Sequence, residues 1–262
     1  MIRFLEKIEL FLYRKAARIV SVTHSFRRIL GERGIDTSKI EVITNGVDAT
    51  RFQPRKKDSD LVAKLGLEGR FVAGYVGTHG MAHALETILE VASMAKVHGD
   101  PFSFVLLGDG ARKAELRRQA QVMSLDNVIF IDSVPKGEVA RYWSLLDVSI
   151  IHLRKTELFT SVIPSKLFEC MAMGIPVLHG VAGESAEIVE NEGVGMVFEP
   201  EHAEQLYHDI LRLSQDKRFY DQLQQQCLRA ASRYDRYELA VEMLELLKQI
   251  TSEVRQVRWQ FR

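Results

Sequence analysis

One segment of the 262-residue sequence places a proline, a serine, a lysine and a glutamate in an order that could bind a nucleotide. Pro164 suits a first helical position, where its missing N–H group costs nothing. The N–H groups of that turn, near Ser165, together with the Lys166 ammonium, would attract an anion. Glu169 follows one turn later and could accept two hydrogen bonds from a vicinal diol such as a ribose. The segment therefore predicts a phosphate cradle beside a diol-binding acid, with an ordinary capped helix as the alternative.

Two glycine-rich turns follow strand-like runs, and glycine lets a backbone approach a ligand closely. The first is Gly77-Thr78-His79-Gly80, with His83 shortly beyond it. These two histidines could carry phosphate charge or lie on the surface of a helix start; they lack a clear third ligand, so no metal site is predicted. The second turn, Gly108-Asp109-Gly110-Ala111-Arg112-Lys113, opens like a dinucleotide fingerprint. That motif fails because Lys113 occupies the place of its third glycine.

These turns and the Pro164 segment belong to a pattern in which short apolar runs alternate with helices. Such alternation predicts an α/β fold with a doubly wound parallel sheet, and ligands of these sheets bind beyond the carboxyl ends of the strands. The predicted strands are 19–22, 40–43, 72–76, 104–107, 128–131, 148–152, 177–178 and 195–198. The predicted helices are 1–17, 26–32, 85–98, 111–123, 137–146, 164–173, 184–190 and 237–257, with a polar linker at 54–60.

Composition excludes several classes of partner. Lys plus Arg and Asp plus Glu number 35 each, so no nucleic-acid binding is predicted. The two cysteines, Cys170 and Cys227, lack metal-ligand spacing and favour a reducing, cytoplasmic compartment. No apolar run reaches the length of a membrane span, and the first residues lack the hydrophobic region of a signal peptide.

Two longer stretches carry a family resemblance. The stretch Ala140–Leu178, which contains the Pro164 segment, and the stretch Ile40–Asp48, followed by Phe52 and Pro54, resemble retaining glycosyltransferases of the GT-B fold in the family 4 class. The resemblance runs from about residue 17 to residue 237 and is strongest to bacterial enzymes of O-antigen and colanic-acid synthesis. It implies a Rossmann-like domain that binds a nucleotide-sugar donor.

The resemblance assigns donor-binding roles to the loops. Gly77-Thr78-His79-Gly80 matches the family's donor-phosphate loop, but many relatives carry an arginine where this chain has Thr78 and a lysine near the place of His83. Phosphate charge would then rest on His79, His83, Lys166 or other bases. The turn that begins at Gly108 matches a Gly-Asp-Gly loop, where Arg112 or Lys113 could face the diphosphate or simply be solvated.

The remaining donor contacts are implied by the same resemblance. The backbone around Val134 lies where the family holds the nucleobase, and Lys155 could reach the phosphates or be solvated. Many relatives carry two glutamates eight positions apart; the second matches Glu169, but the first is replaced by Ser161. Sugar contacts would then come from Ser161, Thr160 or Glu157.

The function implied is transfer of a sugar, with retention, from a nucleotide-sugar, expected to be a UDP-sugar, to a glycan or lipid-linked acceptor in polysaccharide synthesis. No catalytic nucleophile is identified, and no metal or other cofactor is expected. Two alternatives stay open: a non-catalytic nucleotide-sugar-binding module or subunit of a split transferase, and a UDP-sugar epimerase. An epimerase would need acid and base carboxylates and a closing partner domain, and the incomplete acid set and the lack of that domain argue against it.

Length suggests that the acceptor domain of such an enzyme is incomplete. We expect residues 1–50 to be a remnant of that domain with its crossover, 51–235 the nucleotide-sugar-binding domain, and 236–262 a helix with a basic tail. A separate acceptor-domain subunit is one expected partner. Peripheral contact with the inner face of the cell membrane is another, through the tail 254–262 and through a basic, amphipathic first helix that contains Arg3, Lys7, Arg14, Lys15 and Arg18 beside Phe4, Leu5, Ile8, Phe11 and Leu12. The alternative, which we favour slightly, is that the apolar side of this helix packs against the acceptor domain.

Overall fold

A computed structural model describes residues 2–260, with side chains described as far as Ser252. The chain folds as two compact units: one combines residues up to Gly46 with those from Tyr234 onward, and the other is Val47–Arg233. The assignment of residues 1–50 to a remnant acceptor domain stays a prediction. The predicted basic tail, 254–262, lies outside the residues whose side chains are described.

The smaller unit is a two-stranded parallel sheet with helices around a small core. Its elements are α1 (Ile2–Lys15), β1 (Ile19–Ser21), α2 (His24–Glu32), β2 (Ile40–Val42) and the C-terminal helix Arg236–Gln260. Strand β1 pairs in parallel with β2. The core cluster of this unit consists of Ile19, Leu30, Ile35 and Ile40. Three partly buried residues from the last turns of α1 and just after it pack against the cluster: Leu10, Tyr13 and Ala16.

Helix α1 directs most of its apolar surface away from that core. Phe4, Leu5, Ile8, Phe11 and Leu12 are 41–66% exposed, although at 100° per residue they share one face of the helix. Within the residues that the structure describes, no helix is long and apolar enough to cross a bilayer.

The larger unit contains a six-stranded parallel sheet, as predicted. Its strands are β3 (Phe71–Val76), β4 (Phe102–Leu107), β5 (Val128–Ile131), β6 (Val148–His152), β7 (Val177–Gly180) and β8 (Gly195–Val197). They lie in the order β5-β4-β3-β6-β7-β8, so the chain winds outward in both directions from the β3–β6 pair. This reversal is the topological switch point at which doubly wound sheets bind ligands.

Helices flank the sheet, and burial explains the strand pattern. β4 and β6 are buried along their whole length, as near-continuous apolar runs in a covered parallel sheet should be. The helices are α3 (Ser59–Leu65), α4 (Glu86–His98), α5 (Lys113–Val122), α6 (Val139–Trp143), α7 (Lys166–Met173), α8 (Glu184–Glu192), α9 (Ala203–Gln215) and α10 (Lys217–Ala231).

The predicted polar linker at 54–60 is partly wrong, because α3 begins within it. The Asp58 side chain caps this helix by accepting a hydrogen bond from the Leu61 N–H at 3.0 Å, and Gly66 ends it in the left-handed conformation at φ +65°. Leu61 is the buried residue of α3. A single buried side chain in seven residues leaves no visible apolar period.

Candidate functional site

The two glycine-rich turns pack against each other at the carboxyl edge of the sheet. Gly77 N–H donates to the Leu107 carbonyl at 2.9 Å, and His79 N–H donates to the Asp109 carbonyl at 2.8 Å. Gly108 has φ +144°, and a Cβ atom there would stand 1.8 Å from the Gly77 carbonyl oxygen. The neighbouring turn is therefore a reason for glycine at position 108, and the predicted approach to a ligand stays a prediction.

Helix α7 begins two residues later than predicted. Ser165 is the N-cap residue without a side-chain capping bond, and Pro164 precedes the helix. The carbonyls of Pro164 and Ser165 accept hydrogen bonds from the N–H groups of Leu167 and Phe168 at 3.0 and 3.1 Å. The predicted anion cradle therefore narrows to the amides of Ser165 and Lys166, with the exposed Ser165 hydroxyl beside them.

Lys166 extends from the first turn of α7 to the end of β3. Its Nζ lies 3.9 Å from the centroid of the Tyr75 ring, and a Cβ atom on Gly77 would stand 2.7 Å from the same Nζ. Burial lowers the Lys166 pKa to about 8, although part of the side chain reaches solvent. The structure thus brings Lys166 and Gly77 together at the switch point, where the absence of a Gly77 side chain makes room for the ammonium group.

The contacts of the Lys113 ammonium contradict the prediction that this lysine faces a diphosphate. Its buried Nζ contacts the Gly108 carbonyl at 2.5 Å, the Ile131 carbonyl at 3.1 Å and Asp132 Oδ1 at 2.6 Å. A lysine ammonium has three N–H donors, and three acceptors already surround this one. Lys113 therefore ties the ends of β4 and β5 together.

Two other predicted cations are paired with carboxylates. The Arg112 guanidinium contacts Glu86 at the start of α4. Lys155 is exposed, and its Nζ lies 2.5 Å from Glu199 Oε1; this hydrogen bond raises the Lys155 pKa. In the part of the chain that the structure describes, Lys166 forms no such ion pair.

The predicted phosphate role of the His79 charge is contradicted by its burial. His79 is fully buried, and neither ring nitrogen has a hydrogen-bond partner among the described residues. Burial lowers its pKa to about 4, so the ring is neutral at pH 7. His83 is only partly buried, with its ring centroid 5.8 Å from that of Tyr75. Burial and Lys166 lower the His83 pKa.

Thr78, Gly80 and Val134 occupy loop positions at the same edge. Thr78 is exposed, and its carbonyl accepts a hydrogen bond from the Tyr75 hydroxyl at 2.8 Å. Gly80 lies against His83, whose Nδ1 is 3.3 Å from the position of a Gly80 Cβ atom. Val134 is partly buried in the irregular segment after β5.

Glu169 lies in the first turn of α7, three residues after Lys166. The Trp143 Nε1–H group donates to Glu169 Oε2 at 3.2 Å, and Trp143 is fully buried. A rigid donor therefore orients this partly exposed carboxylate. Residues three apart share a helix face, so Lys166 and Glu169 present a cation and an anion side by side.

Ser161 ends a short 3-10 helix, Glu157–Ser161. Its hydroxyl donates to the Leu158 carbonyl at 3.3 Å, and this loop packs against the start of α8: a Cβ atom on Gly183 would stand 2.1 Å from the Thr160 carbonyl oxygen. The predicted sugar contact by Ser161 stays a prediction.

Sequence reasoning missed Tyr75, Trp143 and Arg154. The first two gave no signal because an aromatic residue in an apolar run looks like core. Arg154 donates from Nε to the Met81 carbonyl at 2.6 Å and from Nη1 to Glu201 at 3.2 Å. These bonds fix the loop that follows β6.

A groove lies elsewhere on the larger unit, so the shape of the surface does not identify the candidate site. This groove of about 420 Å³ lies between α4 and α5, away from Lys166, lined by Leu89, Val122, Met123 and polar side chains. Among the described residues, no three His, Cys, Asp or Glu side chains cluster as a metal site would require.

Comparison with known families gives two matches. The family described as "Glycosyl transferases group 1" matches residues 70–216, more than half of the chain. The family described as "Glycosyltransferase Family 4" matches residues 1–51.

Individual relatives are distant. A protein named as a colanic acid biosynthesis glycosyltransferase, WcaL of Salmonella typhimurium, is 29% identical over 181 residues, which cover 68% of this chain and 43% of that protein. The amylovoran biosynthesis glycosyltransferase AmsK of Erwinia amylovora is 24% identical over 199 residues, covering 75% and 47%. The GDP-mannose-dependent alpha-mannosyltransferase of Mycobacterium tuberculosis is 23% identical over 186 residues, covering 71% and 45%. The chain spans about half the length of such curated relatives.

Solved structures share the fold at low identity. Anabaena Alr3699/HepE in complex with UDP superposes with a TM-score of 0.82 at 18% identity, covering 93% of this chain and 67% of that one. The C-terminal domain of the group 1 glycosyl transferase LpcC of Francisella tularensis gives 0.61 at 20% identity, covering 73% and 100%. The fold is thus that of GT-B enzymes, as predicted. Motifs, fold and family match agree: the chain belongs to the group 1 glycosyltransferases of the family 4 class.

Proposed function

We propose that this chain is the donor-binding half of a retaining glycosyltransferase that uses a UDP-sugar to extend a glycan or lipid-linked acceptor in polysaccharide synthesis. One observation carries the proposal. Among the described residues, Lys166 is the predicted lysine or arginine that forms no ion pair, and it lies at the switch point beside Gly77. The names of the relatives support polysaccharide synthesis, and the UDP in the Anabaena structures supports the donor class.

In this proposal, side chains of α7 hold two parts of the nucleotide. The Lys166 ammonium and the amides of Ser165 and Lys166 bind the diphosphate, because a helix start and a cation both favour negative charge. Glu169, oriented by Trp143, accepts hydrogen bonds from the ribose hydroxyls. Backbone groups near Val134 contact the base.

The chemistry needs stabilisation of the leaving group. The bond between the anomeric carbon and the β-phosphate oxygen breaks, and its electron pair stays on UDP. The acceptor oxygen bonds to the anomeric carbon on the same face, and its proton passes to the departing phosphate. Lys166 and the helix start stabilise the charge that develops on that phosphate. No side chain of this chain forms a covalent bond to the sugar.

Calorimetric titration tests the donor site. We expect UDP to bind more tightly than uridine, because only UDP contacts Lys166, and more tightly than GDP. Lys166→Ala should weaken UDP about 10- to 100-fold, the range of a charge-assisted hydrogen bond, with uridine almost unchanged. Lys217→Ala, an exposed lysine of α10, is the matched control. Equal losses for UDP and uridine in Lys166→Ala, or tighter binding of GDP than of UDP, would contradict the proposal.

The acceptor half is proposed as a further α/β segment, in the same polypeptide or in another, that covers the apolar face of α1. The core cluster of the smaller unit contains four buried residues, whereas Phe4, Leu5 and Phe11 are more than half exposed. A core this small gives little stabilisation. The alternative occupant is an anionic membrane surface, attracted by the bases of α1.

Two measurements separate these occupants. The purified chain should bind UDP yet transfer sugar poorly, because positioning of the acceptor supplies many kcal/mol of the barrier; efficient transfer to a defined acceptor would contradict this. In vesicle sedimentation we expect no binding. If the chain pellets with phosphatidylglycerol vesicles but not with phosphatidylcholine vesicles, and high salt reverses the binding, then the apolar face of α1 binds a membrane and not the acceptor half.

A further inference from the structure

The position of Lys166 requires an explanation, because lysine is flexible and this one forms no ion pair among the described residues. Lys113, Lys155 and Arg112 are each fixed by a carboxylate. What lies under the Lys166 ammonium is instead the face of Tyr75, with 3.9 Å between Nζ and the ring centroid. The negative face of an aromatic ring attracts a cation at this distance.

Tyr75 is itself rigidly held. It is fully buried as the fifth residue of β3, and it pairs with Leu106 of β4 in the parallel register. Its hydroxyl donates to the Thr78 carbonyl at 2.8 Å. One side chain thus contacts both the cation from α7 and the backbone of the turn that follows β3.

We infer that Tyr75 is a positioning residue, which holds the Lys166 ammonium at the Gly77 turn without neutralising its charge. This inference rests on the proposed donor site and assigns two roles within it: Lys166 binds the phosphate, and Tyr75 positions Lys166. A carboxylate in place of the ring would also fix the lysine, but it would compete with the donor diphosphate. A ring orients the ammonium while leaving its N–H groups available to a phosphate.

The surroundings agree with this role. His79 and His83 lie beside the same ring, with centroids 5.9 and 5.8 Å from that of Tyr75. Burial lowers the pKa of both histidines, so these two rings add no positive charge beside the ammonium at pH 7. Burial lowers the Lys166 pKa, whereas the Glu169 carboxylate on the same helix favours the charged form.

A double-mutant cycle tests the inference. Tyr75→Leu removes the ring, whereas Tyr75→Phe keeps the ring and removes only the hydrogen bond to Thr78. We expect Tyr75→Leu to weaken UDP about 2- to 30-fold, the range that a cation–π contact spans, and to leave uridine unchanged. Tyr75→Phe should retain most UDP affinity. In a Lys166→Ala background, Tyr75→Leu should cause no further loss, because a residue that acts through Lys166 has nothing left to position.

A ligand-free measurement separates this inference from the proposed function. In lysine-labelled protein, the ε-methylene protons of Lys166, assigned by their loss in Lys166→Ala, should resonate upfield because they lie near the Tyr75 ring. Tyr75→Phe should keep that shift and Tyr75→Leu should abolish it. An unshifted resonance in the parent chain would overturn the inference even if UDP binds. A shifted resonance without UDP binding would instead overturn the donor site. Equal loss of UDP by Tyr75→Leu in both backgrounds would show that Tyr75 is merely part of the core.

Discussion

Lys113 and Lys166 occupy equivalent positions at helix starts, but their environments differ. Each is the first residue of a helix that follows a strand of the six-stranded sheet. Lys113 is buried among the Gly108 and Ile131 carbonyls and Asp132, so it has no donor left for a ligand. Lys166 contacts an aromatic ring and no carboxylate of the described residues. Equal position in the chain therefore does not imply equal chemistry.

The difference lies in what surrounds each helix start. Strands β4 and β5 are neighbours, so their terminal carbonyls converge on the lysine that follows β4. Helix α7 follows β6 at the reversal between β3 and β6, where Gly77 leaves space. The two helices also differ three residues after the lysine: Leu116 of α5 is fully buried, whereas Glu169 of α7 is partly exposed. In the proposed donor site, the helix that binds the ligand is therefore the one whose lysine is followed by an accessible carboxylate.

The largest expected effect is on stability, at Lys113. Lys113→Met keeps the length of the side chain but removes the donors to the Gly108 and Ile131 carbonyls. Leaving such groups unpaired should lower the free energy of unfolding by about 2–4 kcal/mol. Urea denaturation measures this change, and titration of the folded variant should show nearly unchanged UDP affinity. Loss of UDP binding with unchanged stability would reverse the assignments of the two lysines.

Substitution of Glu169 should give the next largest effect. It should weaken uridine as well as UDP, whereas substitution of Lys166 should weaken UDP alone. Glu169→Ala should weaken UDP by about 1–3 kcal/mol, because charged hydrogen bonds to the ribose are lost. Uridine, which has the same ribose, should weaken to the same extent. Glu169→Gln keeps an acceptor for Trp143 and should lose less. Calorimetry with both ligands measures the effect; a loss confined to UDP would place Glu169 at the phosphates, and no loss for either ligand would remove it from the site.

Titration of Lys166 predicts a pH dependence of UDP binding. Burial places the Lys166 pKa at about 8, so the ammonium loses its proton as pH rises through that value, and a bound diphosphate must restore it. UDP affinity should therefore fall about tenfold between pH 7 and 9, with proton uptake visible as a buffer-dependent enthalpy. Uridine affinity should stay flat, and Lys166→Ala should flatten the UDP profile. A persistent fall in that variant would assign the titration to another group.

Sequence predicted the fold well where burial leaves a pattern. Val128–Ile131 and Val148–His152 are strands with the predicted bounds, because both are short apolar runs between turns; the second is buried along its whole length. Helix α3 was missed, because its cap at Asp58 and its single buried residue leave no period to detect.

The site was predictable as far as strand ends determine it. The meeting of Lys166 with the Gly77 turn follows from the rule that loops after parallel strands share one edge. The capture of Lys113 by carbonyls, and the ring beneath Lys166, depend on which strands are neighbours and on side-chain contacts across them. Neither is encoded in the local spacing of the residues, so the sequence could not decide whether Arg112, Lys113 and Lys155 face a phosphate or solvent.

The smallest effect is expected at Lys155, the third lysine of the comparison. Its side chain is exposed, and its ammonium contacts Glu199, while its N–H donates to Glu201 at 2.9 Å. Water competes for an exposed ion pair, so such pairs contribute little, and the backbone bond survives substitution. Lys155→Ala should therefore change UDP affinity less than about twofold. Glu199→Gln is the informative companion, because it frees the lysine without removing it. If Glu199→Gln tightens UDP binding and Lys155→Ala weakens it, then Lys155 reaches the phosphates once released, and the carboxylate pairing that sets it apart from Lys166 is only a resting contact.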